Sequence, residues 1–571
     1  MRRKLISSIA FCFFYFLAAQ CQSVRYSVVI DEIMADPSPI VGLPNAEFIE
    51  IKNTSSQNIN LQGWKIKSTT SASSSFPITV LQPDSFLIIT STTNKALFTG
   101  FGNAVGISSF PALNNTGTSI SLLSKEGATI HSVNYSNSWF QNDVKSNGGW
   151  SLEMIDTHNP CTGNNNWKAS ADPSGGTPGT KNSVDGKNAD HTSPTLLRAS
   201  ATDSLTIELL FNEPVDSFLA ATPSNYSVSE VGATSFAKAV APAFNHVTLM
   251  LNSPISPGKI YTVTAANIAD CSGNIISASN TARVGLASTT DTFDLVVNEI
   301  LFNPKPAAID YVELYNRSKK IVNLKDIYIA NRSSTSGNLG SIHQLTTENT
   351  LFFPGDFFVI SENGMVVKQN YLAKNVDQFI DVNLPSFPDD EGWVVIVNKQ
   401  GTIVDELHYN HSWHFSLVNN EEGIALERVD YNKSTQNKDN WASAASSVGF
   451  GTPSYQNSQF RADLAVKGEV TVTPKTFSPD NDGFDDYATI HLAISDPGYV
   501  ANITIFDATG RPVKDLVQNT TVASMSDFRW DGLDDKFRKV PVGIYIVYTQ
   551  IFNLSGKKKT FKNTVVVARR F

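Results

Sequence analysis

The stretch from residue 478 to 486, SPDNDGFDD, places four carboxylates around one glycine. The carboxylates belong to Asp480, Asp482, Asp485 and Asp486. Oxygen ligands at alternating positions, with Gly483 allowing a sharp turn, suit Ca²⁺. The EF-hand pattern does not fit, because its closing glutamate position falls on Thr489 and the flanking segments have strand composition. The stretch therefore predicts either a calcium site or an Asx-rich turn whose carboxylates face water.

Two pairs of glutamates could serve as a general acid and a general base. Glu32 and Glu50 lie in short apolar segments, and Glu299 and Glu313 lie in segments of the same pattern. Each glutamate occupies an alternating strand position beside apolar neighbours. Backbone amides or an adjacent Asn at the rim of a sandwich commonly satisfy such carboxylates, so a structural role is favoured over catalysis.

The histidines His408, His411 and His414 in LHYNHSWHF are the best metal ligands by composition. Positions three apart on a strand point to opposite faces, which argues against a shared zinc ion. Histidines that face solvent are the favoured interpretation. The chain contains no G-x-S-x-G elbow, no P-loop and no H-E-x-x-H motif, so no nucleophilic or zinc-protease machinery is indicated.

Cysteines and aromatic residues give weaker signals. Cys161 and Cys271 lie in turn-like sequence of different predicted modules, and we expect two small, partly buried residues rather than a disulfide framework. Trp139, Phe140 and Trp150 lie near a polar stretch and could form a binding rim, although core packing is favoured.

The N-terminus and the charge balance indicate an extracellular protein. Residues 1–22 have three early basic residues, an apolar run and small residues at its end, which is the layout of a secretory signal peptide. Gln20 stands where a bacterial lipoprotein signal has a small residue, so secretion is favoured over lipidation of Cys21. No later stretch is apolar enough for a membrane helix. A net charge of −9 argues against binding to nucleic acid or anionic lipid.

A long internal repeat organises the chain. VVIDEIMADPSP from Val28 returns as LVVNEILFNPKP from Leu295, and AEFIEIKNTS from Ala46 returns as IDYVELYNRS from Ile309. The likeness continues through NYSNSW and HYNHSW to GGTPG and GFGTP. Short alternating runs separated by Asn, Gly, Pro and Ser clusters predict antiparallel β-sandwiches. We call residues 24–184 the first copy and residues 293–458 the second copy.

Both copies resemble the lamin tail domain, an Ig-like sandwich that also occurs in secreted bacterial proteins. The phrase "NEI", a proline-containing loop and "[YF][IV]E[LI].N" carry the resemblance. The residues concerned are Glu32, Glu50, Asn53 and Trp64 in the first copy, and Glu299, Glu313 and Asn316 in the second. The second copy has Ile327 in place of Trp64, and its first loop is four residues shorter. The resemblance implies accessory or anchoring roles beside secreted hydrolases.

Two further modules are predicted around the second copy. Residues 190–288, with FNEPV and YTVTAANIADCSGN, resemble the Ig-like module of S-layer and other bacterial surface proteins, which usually acts as a spacer. Residues 462–571, with TFSPDNDGFDD, ITIFDATGRPVKDL, FRWDG and VPVGIYIVY, resemble C-terminal Ig-like modules of the flagellar hook-cap and gliding-motility kind.

The sequence as a whole predicts an all-β chain of tandem antiparallel Ig-like sandwiches, four modules in a row. We expect a non-enzymatic secreted or cell-surface protein for adhesion, display or assembly, with calcium as the one candidate cofactor. Its expected partner is an extracellular protein or polysaccharide. The alternative is an accessory or catalytic subunit of an extracellular metal-dependent hydrolase that uses Asp36, Glu50 or the His408 cluster.

Overall fold

A computed structural model describes residues 25–415, 418, 420–460, 468–494, 498–553 and 558–569. The predicted signal peptide and Cys21 lie outside these residues. The fold is all-β, built of tandem Ig-like sheets. The chain divides into two compact units near residue 284. The boundaries of the four modules remain a prediction.

The first copy forms a six-stranded sheet, a three-stranded sheet and a two-stranded ribbon, in the orders β11-β10-β1-β2-β6-β7, β4-β8-β9 and β3-β5. Its strands are β1 Val28–Met34, β2 Phe48–Asn53, β3 Ile59–Asn60, β4 Lys65–Ser68, β5 Val80–Leu81, β6 Phe86–Ser91, β7 Ala104–Ile107, β8 Gly117–Leu123, β9 Thr129–Ser136, β10 Leu152–Met154 and β11 Trp167–Ala169.

The next segment forms one seven-stranded sheet in the order β12-β13-β16-β15-β14-β17-β18. Its strands are β12 Leu196–Ala201, β13 Thr206–Phe211, β14 Tyr226–Val228, β15 Gly232–Val240, β16 His246–Leu251, β17 Tyr261–Ala265 and β18 Thr281–Val284, and helix α1 is Ser217–Ala220. In β13 every second residue, Ile207, Leu209 and Phe211, is buried, which is the pattern of a strand with one face on a core.

The second copy repeats the strand order of the first, with a six-stranded sheet β26-β25-β20-β19-β29-β30, a four-stranded sheet β23-β22-β27-β28 and a ribbon β21-β24. Its strands are β19 Leu295–Leu301, β20 Tyr311–Asn316, β21 Val322–Asn323, β22 Ile327–Arg332, β23 Leu339–Gln344, β24 Leu351–Phe352, β25 Phe357–Ser361, β26 Phe379–Asp381, β27 Glu391–Asn398, β28 Ile403–Asn410, β29 Leu426–Arg428 and β30 Trp441–Ser443. Strand β23 is an addition to the pattern of the first copy.

The C-terminal segment packs a three-stranded sheet, β31-β33-β36, and a five-stranded sheet, β32-β38-β37-β34-β35, around one core. Its strands are β31 Glu469–Thr473, β32 Thr476–Phe477, β33 Ala488–Ala493, β34 Tyr499–Asp507, β35 Pro512–Val522, β36 Met525–Trp530, β37 Gly543–Asn553 and β38 Lys558–Val567.

Short 3-10 helices lie at Lys95–Phe98, Asn137–Phe140, Lys145–Asn147, Asn164–Asn166, Pro223–Asn225, Leu324–Asp326, His411–Trp413, Lys438–Asn440 and Ser446–Val448.

The sheets are mainly antiparallel, as expected, and some neighbouring strands pair in parallel. β7 pairs with β6, and β26 pairs with β25, in parallel. Parallel neighbours need a crossover, and a short helix supplies it in each copy: Lys95–Phe98 in the first and α2, Gly364–Asn370, in the second. Asn363 caps α2 by accepting a hydrogen bond from the amide of Met365 (3.0 Å).

Candidate functional site

The glutamates of the first copy form a row across three neighbouring strands. Glu32 on β1 is the register partner of Glu50 on β2 and of Glu153 on β10. All three side chains have no solvent-accessible surface. Glu153, which sequence reasoning missed, completes a row that we call the first carboxylate row.

The second copy contains the same row. Glu299 on β19 is paired in register with Glu313 on β20 and with Glu427 on β29, and all three are fully buried. Comparing WSLEMID with IALERVD would have predicted the third glutamate, because the two stretches align Glu153 with Glu427. We call this set the second carboxylate row.

One segment at the end of each copy supplies hydrogen-bond donors to its row. The segments are TPGTKNSV, residues 177–184, and TPSYQNSQ, residues 452–459, and we call them the T-P-N-S segments. Thr177 donates its amide to Glu32 (2.9 Å) and its hydroxyl to Glu153 (2.9 Å), and the Gly179 amide donates to Glu50. Ser183 donates its hydroxyl to Glu153 (2.7 Å). The rows are therefore capped by backbone and hydroxyl groups and do not face an open cleft.

The second T-P-N-S segment makes equivalent contacts. The Thr452 amide donates to Glu299 (2.9 Å), the Ser454 amide donates to Glu313, and the Ser458 hydroxyl donates to Glu427 (2.8 Å). The Thr452 hydroxyl lies within hydrogen-bond distance of both Glu299 (2.7 Å) and Glu427 (2.9 Å). A hydroxyl has one proton, so one of these two carboxyls must itself carry a proton to complete the pair.

Burial raises the pKa of five row carboxyls, because a charged carboxylate is unfavourable away from water. They are Glu32, Glu50, Glu299, Glu313 and Glu427. Burial and then Glu153 raise the pKa of Glu32 to about 8, and burial and then Glu299 raise that of Glu427 to about 8. The pKa of Glu50 and the pKa of Glu313 are raised well above the usual range, first by burial and then by the neighbouring row glutamate. Each row thus holds protons at neutral pH and acts as a hydrogen-bonded structural element.

A β-bulge precedes the central glutamate of each row. The register shifts between Ile30 and Glu32, and in the second copy between Val297 and Glu299. The bulge buries the extra residue as well, which is Asp31 in the first copy and Asn298 in the second. Burial raises the pKa of Asp31 to about 7.

The backbone N–H of the residue before each bulge residue donates a hydrogen bond to a side chain. The acceptor side chain differs between the two copies. The Ile30 amide donates to His131 Nδ1 (2.8 Å), whereas the Val297 amide donates to Asp405 Oδ2 (2.7 Å). Buried Arg428 lies 3.5 Å from Asp405 and balances its charge. Burial lowers the pKa of His131 to about 4, so its ring is neutral at pH 7.

The three predicted histidines do not converge. His408 stacks on Trp393 with ring centroids 3.8 Å apart and lies 2.6 Å from Glu391. His411 lies 3.3 Å from Glu421. His414, expected to face solvent, is instead buried and contacts the Ser443 hydroxyl (2.9 Å). Each histidine therefore has its own partner, and the three do not form the shared ligand set that zinc would need.

The acidic loop at 478–486 brings three of its four carboxylates together. Asp480, Asp482 and Asp486 each offer one oxygen, and these oxygens lie within 4.8 Å of one another; Asp485 is outside the group. Two oxygens of Asp486 accept the amides of Asn481 (2.6 Å) and Gly483 (2.9 Å). The loop combines an Asx-type turn with a carboxylate cluster, and calcium binding there stays a prediction.

A second carboxylate group lies in the first unit and was not predicted. Asp190, Glu213 and Asp270 each offer one oxygen within 4.8 Å of the others. Asp270 is buried and accepts the amides of Ser272 (2.8 Å) and Asn274 (2.9 Å). Asp190 and Glu213 line a cavity of about 510 Å³.

Cys161 and Cys271 form a disulfide bond, with Cα atoms 6.0 Å apart. This corrects the expectation of two separate, partly buried thiols. The two cysteines are 110 residues apart and lie in different predicted modules. Their spacing in the sequence does not show that the two turns come close enough for a disulfide bond. Cys161 also lines the 510 Å³ cavity.

Comparison with known proteins gives a family for part of the chain. Residues 22–137 match the model of the lamin tail domain. This match covers most of the first copy and ends before Glu153. No curated protein matches the chain.

Solved structures resemble the chain only weakly. The N-terminal part of the bacterial S-layer protein SbsC is 16% identical, with 30% of this chain and 41% of that chain covered and a TM-score of 0.16. FlgD from P. aeruginosa is 21% identical, with 14% and 62% covered and a TM-score of 0.13. A Ca²⁺-stabilised adhesin of an Antarctic bacterium is 8% identical, with 96% and 100% covered and a TM-score of 0.12. The chain covers less than two thirds of the first two structures, and scores this low carry no functional argument.

Proposed function

We propose that the chain is a non-enzymatic secreted or cell-surface protein for adhesion, display or assembly, with the two lamin-tail-like copies as binding or anchoring modules. The observation that carries this proposal is the burial of the carboxylate rows beneath the T-P-N-S segments. Their six glutamates are fully buried and capped by the T-P-N-S segments. A general acid must reach its substrate, and these groups cannot.

The Cys161–Cys271 disulfide supports an extracellular destination. Disulfide bonds persist in oxidising compartments and are rare in the reducing cytosol. None of the helices among the described residues is long and apolar enough to span a bilayer. The expected partner is an extracellular protein or polysaccharide.

The competing hydrolase interpretation needs Asp36, Glu50 or the His408 cluster to lie free in a cleft with further ligands. Asp36 instead accepts a hydrogen bond from Asn115 (2.7 Å), Glu50 is buried, and His408 pairs with Glu391. These separate partners favour structural roles for all three residues.

A binding and activity experiment distinguishes the two interpretations. Labelled residues 22–571 are incubated with intact producing cells from which the gene has been deleted, and retention is measured by flow cytometry. We expect saturable retention and no phosphoesterase, protease or glycosidase turnover. Turnover that survives purification and disappears in Glu50→Gln or His411→Ala would overturn the proposal, as would an absence of retention together with a cytoplasmic location.

We also propose that the loop at 478–486 binds calcium weakly through Asp480, Asp482 and Asp486. The support is the proximity of three carboxylate oxygens that would otherwise repel one another. Calcium prefers such oxygen ligands, and extracellular sites bind it with millimolar to submillimolar affinity. Asp485, the fourth predicted ligand, is not included.

A further inference from the structure

The cavity of about 510 Å³ in the first unit has the size of a small-ligand site. Such sites measure roughly 300–1,000 Å³. Its walls come from strands β8 and β9, from the turn at 160–167 and from loops around residues 190, 213 and 245. The disulfide at Cys161 ties the 160–167 turn to the loop that carries Asp270. One wall of the cavity is therefore covalently fixed to a neighbouring loop.

Trp139 provides an aromatic surface in this cavity. Its side chain is half-buried and packs against the core, where its rings lie 6.2 Å from those of buried Trp167. Gly163 lies beside the six-membered ring, and a side chain there would begin 3.6 Å from that ring. Because Gly163 has no side chain, no side-chain atom of residue 163 covers this part of Trp139.

Three side-chain amides in the lining are open to solvent and to a ligand. They belong to exposed Asn134 and Asn165 and to half-buried Asn245. Each amide can both donate and accept, as can the hydroxyls of Ser119 and Thr192 in the same lining. Groups with this double capacity match ligand hydroxyls, which also donate and accept.

The charge of the lining narrows the class of ligand. The cavity is lined by two carboxylates, Asp190 and Glu213, and by no lysine, arginine or histidine among the described residues. Phosphate, sulfate and other anions are therefore disfavoured. Burial and the neighbouring Asp270 raise the pKa of Glu213 to about 7, so this carboxyl can donate as well as accept near neutral pH.

We propose that this cavity binds a neutral saccharide, with Trp139 against the apolar face of a sugar ring and Asn134, Asn165 and Asn245 on its hydroxyls. This inference rests on the proposed function and names the ligand class of one of its modules. A purely cationic ligand would use the carboxylates and Trp139 but would make no use of the donor groups of the three amides.

The test is isothermal titration of residues 22–571 with neutral oligosaccharides of glucose, mannose, xylose and N-acetylglucosamine. Heparin oligosaccharides and spermidine serve as charged comparators. We expect at least one neutral oligosaccharide to bind and neither comparator to compete. Trp139→Ala should weaken that binding about tenfold, which corresponds to about 1.4 kcal/mol, because the sugar ring loses its aromatic contact.

Trp150→Ala is the matched control, because Trp150 is also half-buried against the same core but does not line the cavity. It should bind like the unmodified chain. If Trp139→Ala fails to fold, the double variant Asn134→Ala/Asn245→Ala tests the same site without touching the core. This variant should also lose binding.

Binding that neither set of variants weakens, binding of spermidine in place of sugars, or failure of every neutral oligosaccharide would overturn the inference. Retention of the unmodified chain on intact cells separates this result from the proposed function. Retention of the unmodified chain without binding of any neutral oligosaccharide would leave the surface protein proposal standing and remove the saccharide site.

Discussion

The buried bulge residue beside each carboxylate row differs between the copies: it is Asp31 in the first and Asn298 in the second. Asn298 donates its amide to Glu313 (2.7 Å) and to Asn457 (2.7 Å), so both oxygens of Glu313 have partners. Asp31 has no amide to donate. Asp31 Oδ1 and one oxygen each of Glu32 and Glu50 have no hydrogen-bond partner among the described residues. The first row therefore leaves buried acceptors that the second row satisfies.

Asp31→Asn should stabilise the first copy by about 1–3 kcal/mol at pH 7, the usual cost of leaving a buried polar group unsatisfied. The new amide would occupy the position from which Asn298 donates in the second copy. The free energy of unfolding in urea measures the effect in the full chain. The reverse change, Asn298→Asp, should destabilise the second copy by a similar amount, and equal stability of all three chains would refute this account.

The raised carboxyl pKa values predict that stability falls as the pH rises through 8. In the folded state Asp31 titrates at about 7 and Glu32 at about 8, whereas unfolded carboxyls titrate near 4. The folded state thus binds more protons between these values, so stability is complete below the unfolded pKa and is lost towards pH 8.

Buried His131 has the opposite effect, because the unfolded state binds its proton more readily and stability therefore rises with pH. This effect is confined to pH values below its unfolded pKa of about 6.5. The clear loss of stability is therefore expected between about pH 6.5 and 8. Thermal unfolding at a series of pH values measures it, and Glu32→Gln should reduce the slope. A melting temperature that rises over this range would contradict the assignment.

At the scale of elements, the repeat and its alternating segments were predictable. The strand order β11-β10-β1-β2-β6-β7 recurs in the second copy, as the shared apolar positions indicated. Asn53 and Asn316 also have matching roles, each donating to two backbone carbonyls. Local patterning specifies a strand and its buried face, and these features therefore transfer between copies.

The capping of the carboxylate rows was not predictable in the same way. Glu32 and Thr177 are separated by 145 residues, and only the fold brings them together. The bulge that buries both Asp31 and Glu32 breaks strict alternation, so a period-two interpretation assigns these neighbours to opposite faces. The repetition of the T-P-N-S segment can be read from the sequence, but its contacts with the row glutamates cannot.

Calcium should stabilise the C-terminal segment if its acidic loop is a site. At an ion concentration of about 100 times the dissociation constant, the expected gain is roughly 2.7 kcal/mol. Thermal unfolding of the full chain with calcium and with chelator measures this gain in the transition of the C-terminal segment.

The matched pair of variants is Asp482→Asn and Asp485→Asn. Asp482 contributes an oxygen to the cluster and Asp485 does not. Asp485 has a φ of 52°, which asparagine tolerates well, so its replacement should leave the calcium effect intact. Asp482→Asn should abolish most of the calcium effect. Identical melting of the unmodified chain with calcium and with chelator would mean that the loop is only a turn and not a calcium site.

At the scale of the molecule, the Cys161–Cys271 bond closes a long loop. The double variant Cys161→Ser/Cys271→Ser should lower the stability of the first unit by about 2–5 kcal/mol, because the unfolded chain regains the freedom that the bond removes. Unfolding in urea with and without reductant measures the change. Reductant should destabilise the unmodified chain and leave the variant unaffected, and insensitivity of both would contradict the bond.

The same bond also determines what a protease can release. A cut anywhere between residues 161 and 271, for example at exposed Phe218 in α1, leaves the two pieces joined by the sulfur bridge. The nicked chain would migrate as one band on a non-reducing gel and as two bands after reduction. A protein exposed to proteases outside the cell could thus be cut in this region and still keep every later domain attached to its N-terminal copy.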